Sequence, residues 1–427
     1  MRLKTLKLRN FKGIDSLDLD LDKNLTVFVG VNGSGKSSTL DSIATLLSWI
    51  TSRTKSNRSS GRPITENQVK NGSKHSSIAL EATDNLNWKL VKTRSGYNVD
   101  EKSDLVGLKN YTDSLREAIT SSHESCAIPL FAYYPINRAV LDIPLRIRNA
   151  SKFSLLEAWD ESLTSASNFR SFFSWFRQRE DLENENRSYI DSKYKPENWE
   201  FPDRQLTCVR TALTKFLPEF EDFRVRRNPL RLTVRKRGEE LSIEQLSDGE
   251  KCMIALIGDI ARRLAMANPN EPEPINGEGI VLIDEFDMHL HPQWQRLVIN
   301  KLPEVFENIQ FIVTTHSPQA IGEVRREQTW LLQQDTENFI RADRPRQSYG
   351  LTSNDILNEV MRDKSAYKQI TRNSVIEEKL DTIFNLIALN KLSEASSKIE
   401  LLEDLLGGEI PELVRAKMSL ELSGWDD

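Results

Sequence analysis

The sequence predicts an α/β fold: a mixed sheet around a phosphate-binding loop, an antiparallel β subdomain, a helical lobe and a C-terminal helical hairpin. Three observations carry that prediction. The run "LTVFVGVNGSGKSSTLDSI" (25–43) passes from an apolar strand through a glycine-rich loop into a helix. The run "GIVLIDEFD" (279–287) is a second apolar strand, and it ends in acids. Residues 15–22 alternate strictly, Leu17, Leu19 and Leu21 against Asp18, Asp20 and Asp22, as a half-buried antiparallel strand does.

Taken in order, residues 2–11 and 15–22 read as paired strands, and the aspartate row as a solvated strand face rather than a metal site. Residues 25–29 are a buried strand and 36–50 a helix. Residues 51–77, rich in Ser, Asn, Lys and Arg with Gly61, Pro63 and Gly72, read as a mobile loop. Strand-like runs follow at 78–82, 86–92 and 127–135. Between 141 and 220 the pattern turns helical and aromatic. Phe153, Trp159, Phe169, Phe172, Phe173, Trp175 and Phe176 are expected to form a core, with a polar loop at 183–200. Residues 223–243 return to alternation, with turns near Asn228-Pro229 and Gly238. Val225, Leu232 and Val234 should point inward. Arg224, Arg226, Arg231, Arg235, Lys236 and Arg237 read first as a solvated face and second as a nucleic-acid contact. A helix (249–267), a Pro-rich loop (269–278), a strand (279–283), a helix (292–300) and a strand (310–315) come next. After 349 the chain is helical, with Ile383, Phe384, Ile387 and then Leu392, Ile399, Leu402 at helical spacing, as in a hairpin that docks on the head or on a partner. The expected domains are 1–140, 141–222, 223–348 and 349–427.

With 38% hydrophobic and 28% charged residues, the 427-residue chain has ordinary globular composition. Its net charge of -5 excludes a polycation that coats nucleic acid. Cys126, Cys208 and Cys252 lie far apart, which suggests neither a zinc ribbon nor a disulfide framework and fits a reducing cytoplasm. No apolar run spans a membrane, and the N-terminus lacks the apolar core of a signal peptide.

Four short motifs carry chemistry. Gly30, Gly33 and Gly35 allow a turn that points backbone N–H groups at a phosphate, and the loop opens a helix whose N-terminus adds partial positive charge. Lys36 can reach β- and γ-phosphates, and the Ser37 hydroxyl can ligate Mg²⁺. Asn32, Ser34 and Ser38 complete the candidate nucleotide-binding loop, so ATP and Mg²⁺ are the expected cofactors. At the end of the acidic strand, Asp284 is placed to hold Mg²⁺ and Glu285 to polarise the attacking water. In "EQLSDGEKCMIAL" (244–256), Ser247 and Glu250 form a capping box, and the helix end with Ser247 and the Gly249 backbone suits an anion. In "FIVTTHSP" (311–318), His316 follows a buried strand, within reach of a γ-phosphate.

Together these motifs resemble the ABC-type ATPase heads of the structural-maintenance and DNA-repair class. "LRNFKGIDSLDLDLDKNLTVFVGVNGSGKSS" resembles their opening, "LSDGEK" their signature, "VLIDEFD" their Walker B and D-loop, and "TTHSP" their H-loop. The resemblance implies ATP sandwiched between two heads. Ser247 and Gly249 of one chain would face the γ-phosphate held by Lys36 of another, with Asp287 at the interface. It also implies that Arg9, Asn10, Phe11 and Lys12 lie near base and ribose. "DMHLHPQWQ" (287–295) is similar to the AAA-type ABC ATPases of bacterial defence systems and OLD nucleases; His289 and His291 read as a D-loop extension, not a zinc pair. "SYGLTSNDILNEVM" (348–361) resembles the C-terminal part of Septu-system ATPases, found alone or beside retrons. That implies a separate HNH-type nuclease as partner, a retron reverse transcriptase with its RNA/DNA as a further one, and no membrane. Asn137 or Arg138 stands where transporter-type heads sense nucleotide with a glutamine. The alternatives are a RecF-like or coiled-coil-bearing repair head that binds DNA directly, a transporter subunit and an OLD-type nuclease. Of the first, a coiled-coil-bearing head would need sustained heptads that residues 141–220 lack, while a RecF-like head that binds DNA directly stays open. The second places its signature too far from Lys36. The third lacks a D-x-D pair after Tyr349.

Overall fold

The alternation of residues 2–22 builds the first sheet. The computed structural model describes residues 1–123, 125–136, 154–164, 169–196, 199–288, 290–335, 339–360, 374–389, 391–408 and 410–423. Strands β1 (Leu3–Phe11) and β2 (Ile14–Asp20) pair antiparallel, with Leu6 opposite Leu19 and Leu8 opposite Leu17. These leucines face the core, while Lys7 meets Asp18 on the other face. β3 (Leu25–Val29) leaves for a second sheet, and α1 (Lys36–Lys55) follows it. β4 (His75–Ala82) and β5 (Asn87–Thr93) complete the first sheet in the order β2-β1-β4-β5.

Between α1 and β4 the chain is packed, contrary to the mobile loop expected at 51–77. Residues 51–55 extend α1, and a Cβ on Gly61 would lie 2.5 Å from the Trp49 backbone and ring. The Trp49 indole donates to the Arg62 carbonyl at 2.9 Å, and Ile64 and Val69 are buried. Polar composition hid these few anchors.

α2 (Val106–Ser121) and β6 (Leu130–Tyr134) come next. The helical lobe holds α3 (Phe169–Arg187), which overruns the loop expected at 183–200, and α4 (Arg204–Phe216). Phe172, Phe173, Trp175 and Phe176 are fully buried and Trp159 nearly so, as a core requires. The Phe153 position lies outside the described residues. β7 (Phe220–Arg227), β8 (Leu230–Lys236) and β9 (Glu239–Ser242) form a three-stranded antiparallel sheet with Val225, Leu232 and Val234 buried.

α5 (Asp248–Ala267) is apolar almost all round and buried from Cys252 onward. β10 (Gly279–Ile283), α6 (Pro292–Val305), β11 (Ile309–Thr315) and the single turn α7 (Pro318–Ile321) follow. β12 (Thr329–Gln334) and β13 (Ile340–Asp343) close the central sheet, and α8 (Ser353–Asp355) is one turn. The strand order is β13-β12-β3-β11-β10-β6, parallel except for β13. β3, β10 and β11 are buried at every residue, as strands covered on both faces must be.

The chain divides into two compact units, Met1–Arg362 and Asp363–Asp427, so the break falls after Arg362 rather than at 349. The second unit contains α9 (Ser374–Ala388), α10 (Leu392–Leu406) and α11 (Pro411–Ser423). Its own core gathers Leu380, Ile383, Ile399, Leu402, Leu413 and Ala416. The expected hairpin is thus the first two helices of three.

Candidate nucleotide site

Parallel strands β3, β10 and β11 end side by side, and their C-terminal ends carry the candidate residues. This is where ligands bind in open α/β sheets. From β3 the chain turns through Gly30, Gly33 and Gly35, all at positive φ. At Gly30 a side chain would collide with the Leu332 carbonyl, its Cβ only 2.1 Å from that oxygen. The loop thus lies directly against β12 and needs glycine there. Lys36, 5% exposed, curls back and donates to the Gly30 and Val31 carbonyls at 2.9 and 3.0 Å. Burial lowers its pKa to about 8, against the opposing pull of Glu285, Asp284 and Asp287. The Ser34 hydroxyl is buried without a hydrogen-bond partner, and Ser37 is exposed on the first turn of α1.

Asp284 is buried at the end of β10, and its backbone N–H donates to the Tyr134 carbonyl of β6 at 2.8 Å. Thr314 of β11 joins the two acids. Its hydroxyl donates to Asp284 Oδ1 at 2.6 Å and accepts from the Glu285 N–H at 2.7 Å. Glu285 sits at φ 45°, a costly conformation for a non-glycine residue, fixed by this bond. His316 Nε2 lies 3.9 Å from Glu285 Oε1 and has no hydrogen bond. Burial and then Lys36 lower the His316 pKa, so the imidazole is neutral at pH 7. One cation, two carboxylates and a neutral imidazole therefore meet at the mouth of a glycine loop.

Residues 25–322 match the family described as "AAA domain, putative AbiEii toxin, Type IV TA system". The chain is 32% identical over its full length to "Retron Ec83 probable ATPase" from Escherichia coli, covering 88% of that protein. It is 30% identical to "Retron Vc95 probable ATPase" from Vibrio cholerae serotype O1 biovar El Tor, over 84% of this chain and 78% of that one. It is 25% identical to "Septu protein PtuA" from Bacillus thuringiensis, over 84% of each. The chain belongs to this AAA-domain ATPase family. Its first unit has the mixed sheet around the glycine loop, the antiparallel sheets and the helical lobe that the sequence predicted.

The AAA-domain residues fit the cofactors of an ATPase. The orphaned Ser34 hydroxyl, the Lys36 ammonium bonded to the Gly30 and Val31 carbonyls, and the backbone approach at Gly30 all suit a phosphate chain. No cluster of three or more metal-binding side chains exists among the described residues. Ser37 and Asp284 would supply two oxygens to a Mg²⁺ that shares its coordination with phosphates.

The other expected residues are placed less uniformly. Ile14 lies about 3.5 Å from where a Cβ on Gly35 would stand, so the β1–β2 turn does abut the loop. Yet Arg9 is held by Asp18 at 2.8 Å and Lys12 by Asp41 at 2.8 Å, and the Phe11 side chain is fully buried. Phe11 is therefore core and cannot stack on a base; Asn10 and Lys12 share the left-handed backbone of its turn. Ser247 and Gly249 open α5, and no hydrogen bond or ion pair joins them to the glycine loop among the described residues. Asp287 lies close enough to Lys36 to raise its pKa. His291 caps α6 by accepting from Gln293 N–H at 3.4 Å. His289, Asn137 and Arg138 lie outside the described residues. Sequence reasoning missed Thr314. Its signal was a threonine on a wholly buried strand directly before the histidine motif.

The arginine-rich sheet is ion-paired. Arg224 and Arg235 face Asp222, Arg226 faces Glu240, Lys236 faces Glu250 and Arg237 faces Glu219. That neutralisation favours the solvated-face reading over a nucleic-acid contact.

Proposed function

We propose that this chain is the ATP-hydrolysing switch subunit of a cytoplasmic antiphage defence complex, and that a separate HNH-type nuclease does the cutting. The convergence of Lys36, Asp284, Glu285 and His316 carries the reading. Retron and Septu relatives that span most of the chain supply its defence context. Bound ATP and Mg²⁺ supply the scissile γ-phosphoryl bond and its charge. Lys36 and the loop N–H groups bind the phosphates, Glu285 orients the water, and neutral His316 donates or accepts a hydrogen bond beside it. Asp284, fixed by Thr314, would hold the metal together with Ser37. Two heads meet so that Ser247, Gly249 and Asp287 of one complete the site of the other. The C-terminal helices are free of ATP chemistry and offer the surface for the nuclease; a retron reverse transcriptase with its nucleic acid is a further partner. Among the described residues, no group of three or more His, Cys, Asp or Glu side chains could hold a metal for nuclease chemistry. Besides His316 and His291, His75 pairs with Glu101 at 2.9 Å and His123 occupies a tight turn.

The test mixes Lys36→Ala with Ser247→Arg chains. Each alone should be dead, and the mixture should regain turnover, because a heterodimer holds one intact composite site. A mixture as inactive as its parents overturns the shared site. The same purified chain should not cut DNA or RNA until its nuclease is added.

A further inference from the structure

Ser247 does not stand alone at the start of α5. Its N–H and its hydroxyl both donate to Glu250 Oε2, at 2.9 and 2.8 Å. The other carboxylate oxygen of Glu250 takes the Lys236 ammonium, which reaches across from the end of β8. Lys236 is itself held over the Phe220 ring, 5.0 Å from its centroid. The pair is largely buried, with side-chain exposures of 22% and 15%.

Helix capping does not explain the lysine. Ser154 with Glu157 and Thr352 with Asp355 make the same box, and among the described residues neither acid bears an ion pair. What differs at Ser247 is the ligand it must accept. A phosphoryl oxygen that accepts from this hydroxyl must turn the hydroxyl's one proton away from Glu250 Oε2 and then lies beside that carboxylate, and like charges at that range repel. Glu250 is needed to fix the serine, yet its charge opposes the anion the serine serves.

We propose that Lys236 is a positioning residue for the composite ATP site: by neutralising Glu250, it lets the Ser247 end of α5 accept the phosphate held by a second copy of this chain. This rests on the reading that Ser247 acts across the dimer. It also gives one member of the arginine-rich sheet a task that its neighbours do not share. Lys236 touches no nucleotide and acts through Glu250 alone.

The experiment measures steady-state ATP hydrolysis by the full chain and its variants Lys236→Met, Lys236→Arg, Glu250→Gln and Lys236→Met/Glu250→Gln. Nucleotide binding by single heads and the unfolding midpoint are measured in parallel. Lys236→Met should lose about 10-fold in turnover, while binding at Lys36 and the fold are kept. The loss should shrink as salt rises from about 50 mM to about 500 mM, because the unpaired Glu250 charge is then screened. Lys236→Arg should retain most activity. Adding Glu250→Gln to Lys236→Met should bring turnover back to within about threefold of wild type, because the repelling charge is gone. A merely structural pair would make the double variant no better than Lys236→Met, and that result overturns the proposal. So does a Lys236→Met chain as active as wild type. If the Lys36→Ala and Ser247→Arg mixture is also dead, the shared site itself has failed; if that mixture works, only the role of Lys236 has.

Discussion

Two charged parts of the first unit handle their charge in opposite ways. At the ends of β3, β10 and β11, among the described residues, Lys36 bonds to two loop carbonyls without a full ion pair, the His316 Nε2 and Ser34 hydroxyl have no hydrogen bond, and Glu285 is held in a left-handed conformation. In the β7–β8–β9 sheet nearly every cation meets a carboxylate. The first arrangement costs folding energy and leaves groups ready for a ligand; the second spends its charge on the fold. Charge density alone therefore does not mark a site, whereas unneutralised, strained groups on a rigid scaffold do.

The largest expected effect separates the two regions by activity. Glu285→Gln should bind nucleotide as wild type does but lower turnover by about 10²–10³-fold, since the amide cannot activate water. Equal turnover would remove Glu285 from the chemistry and weaken the contrast. On the paired side, Glu180 is buried beneath β7, where it accepts from Val225 N–H and binds Arg210 and Arg227. Glu180→Ala should cost about 1–3 kcal/mol in denaturant unfolding, because it removes the acceptor of the Val225 N–H and one of the two carboxylates that hold each arginine, Glu183 and Asp181 remaining, yet leave nucleotide affinity unchanged. A neutral outcome would show that these pairs are decorative. Thr314→Val should reduce turnover by about 10-fold with the fold kept, since Asp284 and the Glu285 N–H each lose one well-placed partner.

Lys36 offers a pH test of the cost. Its pKa falls from 10.5 unfolded to about 8 folded, so between those values the unfolded chain holds a proton that the folded chain has released. Stability from this group therefore rises with pH across that window and is lowest below about 8. Lys36→Met should be more stable than wild type near about pH 7.5, and its advantage should shrink near about pH 9.5. A constant difference across that range would mean that the ammonium is not buried in solution. The smallest effect belongs to the surface arginines. Arg235→Glu with Arg237→Glu should change stability by less than about 1 kcal/mol and leave low-salt DNA binding unaltered in a filter assay. A salt-dependent loss of DNA binding would assign that face a ligand after all.

Most of the nucleotide pole was legible because its motifs are local. A loop fixed by three glycines, an acid pair after an apolar strand and a histidine after another need no tertiary knowledge. The alternating strands were legible for the same reason. What escaped depends on distant partners. α2 carries only three buried residues, Leu108, Thr112 and Ile119, too few for a clear helical stripe. The 56–74 strap is polar in sequence, and Trp49 pins it through Gly61 and the Arg62 carbonyl, contacts that composition does not show. β12 and β13 gained no pattern because β12 is ordered by pairing with β3. The box at Ser247 was read correctly, but Lys236, eleven places earlier in the chain, meets it only through the fold.

The strand order also sets a timetable. β3 sits between β11 and β12, so the strand that feeds the glycine loop pairs with residues 309–315 and 329–334 and with nothing made earlier. At about 5–20 residues per second of synthesis, β3 waits roughly 15–60 s for its neighbours to emerge. Until then Leu25, Val27 and Phe28 stay exposed, and Gly30 has no Leu332 carbonyl to lie against. Contacts this far apart in sequence form late and together. A ribosome that stalls before β12 thus releases a fragment that cannot grip a phosphate. Competence for nucleotide becomes a receipt for a completed first unit, and no partial product of translation carries the finished loop.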